Sequence, residues 1–119
     1  MHPLDPDFEI VRMVWRDRNW PGVFEELSWG TPALKVKGKL LARIREPDVV
    51  VLMSDMDAKE FLMMAQPDVY FQTDHYKGYP AVLARLSKID PIELGERIEE
   101  AWRRIAPRKL IAEYDGRPK

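Results

Sequence analysis

Apolar residues change their spacing several times along the chain, and each change marks an element. Phe8, Val11 and Trp15 recur at helical spacing with Val14 beside them. Asp5-Pro6 ahead of them reads as an N-cap followed by a first helical position. Trp20-Pro21-Gly22 stops the run. Over residues 23–53 the period shortens. Leu34 and Val36 alternate with Ala33, Lys35 and Lys37, Gly38 stands where a tight turn is needed, and Leu40, Ala42 and Ile44 alternate with Lys39, Leu41, Arg43 and Arg45. Pro47-Asp48 then breaks the chain before the buried-strand run of residues 49–53.

A second helix opens at residues 54–57, where Asp57 and Glu60 have capping-box spacing, and Pro67 ends it. Residues 69–72 and 81–86 read as a second hairpin around the loop 73–80. The last helix carries the plainest signals: Asp90 as cap, Pro91 at the first position, Glu93 completing the box, and a stripe of Leu94, Ile98, Ala101, Trp102 and Ile105. Pro107 interrupts it before a short turn of helix over residues 108–114. Consecutive strands joined by turns too short for helical crossovers predict mostly antiparallel pairing. With helices on one face, this is an α+β fold: a twisted, mostly antiparallel sheet backed by N- and C-terminal helices, in a single domain over residues 1–119.

Composition narrows the class. A chain of 119 residues buries roughly two-thirds of its unfolded surface, enough for a core without metal or disulfides. Cysteine is absent, which removes disulfides, thiolate metal sites and cysteine nucleophiles, and fits a cytoplasmic protein. No apolar run approaches the roughly 18 residues of a membrane span, and the short acidic start does not read as a signal peptide. The formal net charge is −1, so any attraction for polyanions depends on where the charges lie.

They lie unevenly. Residues 33–45 hold Lys35, Lys37, Lys39, Arg43 and Arg45 and no acid. Strict alternation would send all five to one side of one hairpin, where they could track a phosphate backbone or lie in a groove as a two-stranded ribbon. The plainer alternative is lysines guarding a strand edge. In the C-terminal helix, acids precede bases, as the helix dipole favours without further function.

Catalytic chemistry finds little support. His2 and His75 are the two histidines; His75 beside Asp74 supplies two ligands, short of a closed metal site. No serine or threonine sits in a nucleophile elbow, and no glycine-rich phosphate loop is present. The loop 74–80 is the best small site: His75, Tyr76 and Tyr79 could stack on bases and Lys77 could meet a phosphate. Trp15 and Trp102 lie on apolar helix stripes and read as core, as does Met63-Met64; Trp29 is less settled.

The run Trp29-Gly30-Thr31-Pro32-Ala33-Leu34-Lys35-Val36-Lys37-Gly38-Lys39-Leu40-Leu41-Ala42 resembles the signature of the MmcQ/YjbR family of small bacterial proteins. So does His75-Tyr76-Lys77-Gly78-Tyr79-Pro80 with the residues to Asp90, and Trp20-Pro21-Gly22-Val23 and residues 101–107 agree. The resemblance implies a frataxin/CyaY-like fold and a DNA-binding role through two hairpin wings, at residues 35–45 and around residues 76–79. It does not carry over the iron chemistry of frataxins, which is associated with an acidic ridge where this hairpin is basic. The expectation is a non-enzymatic, cytoplasmic, monomeric or weakly dimeric protein without cofactor or metal. It binds nucleic acid, DNA foremost, through Lys35, Lys37, Lys39, Arg43, Arg45, His75, Tyr76 and Lys77. A protein-interaction adaptor and a small-ligand site centred on His75 are the alternatives.

Overall fold

A computed structural model describes residues 2–118; Met1 and Lys119, the two ends of the expected domain, lie outside the described residues. The chain runs α1 (Asp5–Arg18), β1 (Val23–Ser28), β2 (Thr31–Val36), β3 (Lys39–Glu46), β4 (Val49–Met53), α2 (Met56–Ala65), β5 (Tyr70–Phe71), β6 (Ala81–Arg85), α3 (Pro91–Ile105) and α4 (Arg108–Asp115). The six strands form one antiparallel sheet in the order β1-β2-β3-β4-β6-β5. The first four make a meander, and the chain crosses by way of α2 before β6 returns between β4 and β5. This is the α+β architecture the sequence predicts, with helices at both ends of the chain.

The helices cover one face. Phe8 and Val11 of α1, Leu94, Ile98 and Trp102 of α3, and Leu34, Val36, Ala42, Ile44, Val50 and Leu52 of the sheet form the main core. Trp102 donates its indole N–H to the Pro21 carbonyl at 3.1 Å, satisfying the polar atom that its burial would otherwise strand. Two helix starts differ from the sequence reading. The cap of α1 is Leu4, and Asp5 lies inside the helix, where it accepts a hydrogen bond from Arg12 at 2.9 Å. The cap of α2 is Asp55, two residues before Asp57, and it accepts from the Ala58 N–H at 2.7 Å.

The opposite face is covered only in part. Over β4 and β6 a second, smaller cluster forms from Val49, Val51, Ala81 and Leu83, capped by Tyr76 from the loop that joins β5 to β6. Toward the β1 edge the outer face is open, with Phe24 and Glu26 exposed. The loop is pinned by Lys59 of α2, whose side chain is 1% exposed. Its Nζ donates to the carbonyls of Tyr76 at 2.6 Å and Tyr79 at 2.8 Å. Burial holds this ammonium below the ordinary lysine value of 10.5.

Candidate functional site

The boundary between the covered and open halves of the sheet is a cleft, and two β-bulges shape it. On β3, Leu34 faces Ala42 while Lys35 faces Leu40, so Leu41 has no partner of its own. Directly opposed residues share a face. The extra residue therefore turns Leu41 into the helix-side core and brings Leu40 to the outer face beside Lys35. Lys39, opposite the buried Val36, goes to the helix side at the hairpin tip. Lys37 is not on a strand face at all. With φ 51° it forms, with Gly38 at φ 75°, the two-residue turn between β2 and β3. The expectation that all five cations share one side fails at these two lysines, because strict alternation does not survive a bulge and a turn.

A second bulge leaves Arg45 unpaired and puts Glu46 opposite Val49 on the outer face. There Arg45 and Glu46 form an ion pair at 2.5 Å. Lys35 likewise has a partner, Glu26 of β1, at 3.7 Å. Arg43 is different. Its guanidinium donates to the Thr31 hydroxyl at 3.2 Å and the Tyr76 hydroxyl at 3.1 Å, and among the described residues it has no carboxylate partner. Two neutral oxygens leave most of its charge uncompensated, and the cleft beside it is open to an anion.

The cleft has a volume of about 800 Å³ and is lined by Trp29, Leu40, Arg43, Arg45, His75 and Tyr79 among others. It thus brings together five of the residues named from the sequence: Arg43, Arg45, His75, Tyr76 and Tyr79. Tyr76 serves it differently from expectation. Its ring is 5% exposed, packed on the small core, and only its hydroxyl reaches Arg43. The Arg45 guanidinium lies 5.8 Å from the centre of that ring, and the exposed His75 meets it edge-on at 5.0 Å. Lys77 does not line the cleft and pairs with Asp74 at 3.4 Å.

The sequence reading passed over Leu40 and Lys59 and left Trp29 unsettled. Trp29 stands at the rim, 88% exposed, and Tyr79 is 49% exposed. Leu40 forms part of the floor, and the unbroken apolar run Leu40-Leu41-Ala42 was the one mark of the bulge that puts it there. Nothing local announces Lys59. Among the described residues, no group of three or more His, Cys, Asp or Glu is placed to hold a metal ion. Nor is any helix long and apolar enough to cross a membrane. Glu46, a carboxylate that lines the cleft, is engaged by Arg45.

Comparison with known proteins adds a family and no activity. A family model described as YjbR matches residues 18–104. An uncharacterized protein of Mycobacterium bovis is 42% identical over 93 residues, covering 74% of this chain and 72% of its own. Uncharacterized proteins from two strains of Mycobacterium tuberculosis match to the same extent. No solved structure matches the chain.

Proposed function

The chain belongs to the YjbR family, and from that premise we propose that it binds nucleic acid on the open half of its sheet, without catalysis. Arg43 carries the reading. It is a guanidinium without a carboxylate partner among the described residues, fixed by two hydroxyls in a cleft rimmed by aromatic side chains. Arginine in that setting suits phosphate, and the surrounding rings suit bases. Arg45 is the second phosphate ligand once it exchanges Glu46 for the backbone. Lys37 in the hairpin turn extends the positive track away from the cleft, whereas Lys39 lies on the helix side. Lys35 contributes less, because Glu26 already offsets it. Such a protein works in the cytoplasm as a monomer or weak dimer.

A second reading has its own observation. Phe24 and Leu27 are exposed on β1, the edge strand, and an extended segment of another protein could add there.

Fluorescence anisotropy of labelled oligonucleotides, titrated with salt, tests the first reading. With ~2–4 phosphate contacts, at about −0.7 to −0.9 in the log–log slope for each, affinity should fall by one to two decades between 50 and 200 mM salt. The double variant Arg43→Ala/Arg45→Ala should lose most of the binding. Flat titrations at low salt would overturn the proposal and leave the edge-strand partner as the better account.

A further inference from the structure

Trp29 occupies a place that folding does not explain. It is the first central residue of the turn between β1 and β2, with φ 54°, followed by Gly30 at φ 78°. Two-residue hairpin turns with both φ values positive favour Asn-Gly, and a bulky residue in the left-handed region is an outlier. The side chain gains nothing from the core in return, since it is 88% exposed. Strain held at an exposed aromatic that lines a cleft points to a ligand.

The cleft connects Trp29 to the second exposed ring. Arg43 donates one hydrogen bond to Thr31, two residues beyond Trp29, and another to Tyr76, three residues before Tyr79. One guanidinium thus ties together the two elements that carry the rings. Tyr79 is held in turn. Its ring meets that of Tyr76 edge-on at 5.9 Å, and its carbonyl accepts from Lys59. The two platforms stand on a β-hairpin and a pinned loop, bridged by Arg43, which has no carboxylate partner among the described residues.

We propose that this cleft takes unpaired bases, so that the ligand class is single-stranded nucleic acid, with Trp29 and Tyr79 as stacking platforms and Arg43 on the intervening phosphate. The proposal deepens the nucleic-acid reading and rests on it. In a duplex the base faces are already stacked on one another and are closed to side chains. A single strand offers every base face.

The experiment compares a labelled oligothymidylate of about a dozen nucleotides, within the ~4–16 that one such surface covers, with a duplex of equal length. The single strand is expected to bind at least tenfold tighter and to quench the fluorescence of Trp29, which is far more exposed than the buried Trp20 and Trp102. Trp29→Asn should weaken single-strand binding about five- to 150-fold, the range for one lost stacking partner. It should melt no lower than the parent, because asparagine suits the turn. Trp29→Phe should restore most of the affinity and serves as the control for ring loss. Equal affinity for duplex and single strand, or an unchanged affinity in Trp29→Asn, would overturn the single-strand proposal while leaving the broader reading intact. No binding by either probe overturns both.

Discussion

Replacing Glu99 with glutamine removes one charge from a carboxylate that ties α1, α3 and α4 together. Its Oε1 accepts from Arg18 at 3.0 Å, from the Trp20 indole at 3.0 Å and from the Tyr114 hydroxyl at 2.9 Å, and its Oε2 accepts from Arg103 at 3.1 Å. Glutamine keeps one acceptor and turns an NH2 toward one of the arginines, so a donor then faces a donor. Two charge-assisted bonds are lost or weakened, each worth ~1.5–3 kcal/mol when buried. Arg18 and Arg103 are partly solvated, and Arg103 keeps Asp115 at 2.8 Å, so the lower end applies. The expected loss is ~2–3 kcal/mol at neutral pH, or about 8–12 °C in melting temperature for a chain of this size.

The pH dependence makes the test sharper. Burial alone would raise the Glu99 pKa, but hydrogen bonds from Trp20, Tyr114, Arg103 and Arg18 outweigh it and leave the carboxyl below its ordinary 4.5. A carboxyl lowered by folding stabilises above its unfolded value and loses that contribution as pH falls through its folded value. Asp5 and Glu9, also lowered by their arginine partners, are unchanged in the variant and cancel in the comparison. Urea unfolding of both proteins from pH 7 downward should therefore show a gap that is full above pH 4.5 and closes below it, where protonated Glu99 is as neutral as glutamine. A gap that stays open in acid, or one under ~0.5 kcal/mol at pH 7, would refute the assignment of this stability to the charged form.

Four other outcomes follow from the geometry. Lys59→Met should speed amide exchange over residues 73–80 and weaken oligonucleotide binding. Its effect on global stability should be smaller, because relief of the buried ammonium offsets the two lost hydrogen bonds. Gly22→Ala would place a Cβ 2.5 Å from Leu110 Cδ1 at a backbone φ of +74°, so a drop of ~1–3 kcal/mol in urea unfolding is expected. Leu34→Ala, wholly buried beneath the helices, should cost ~2–5 kcal/mol by the same assay. Lys35→Ala should reduce single-strand affinity less than Arg43→Ala, since Glu26 already neutralises Lys35; the reverse order would restore the ribbon picture of the hairpin.

The elements were legible where their signals are local. A cap, a proline at the first position and a stripe at helical spacing announced α3 at Pro91–Ile105, and alternation around Gly38 with the break at Pro47-Asp48 announced β2 to β4. Arg43, Arg45 and His75, which line the cleft, were legible as candidates because a basic strand without acids and a polar loop stand out locally. Tyr76 was placed at the site for stacking and is there through its hydroxyl, since a ring that packs on sheet residues distant in sequence leaves no local trace.

By itself, then, the sequence determined the class of fold, the chain order of its strands and helices, and the excess of cations on one hairpin, because period, caps and turn residues act over a few positions. Tertiary structure decided which of those cations face the cleft. An extra residue at Leu41 and another at Arg45 reverse the alternation that follows them, and a bulge is set by how two strands and the helices behind them fit together. It also decided which half of the sheet stays open. That outcome depends on Lys59 finding carbonyls 17 and 20 residues away along the chain, a pairing made only once the loop has folded back.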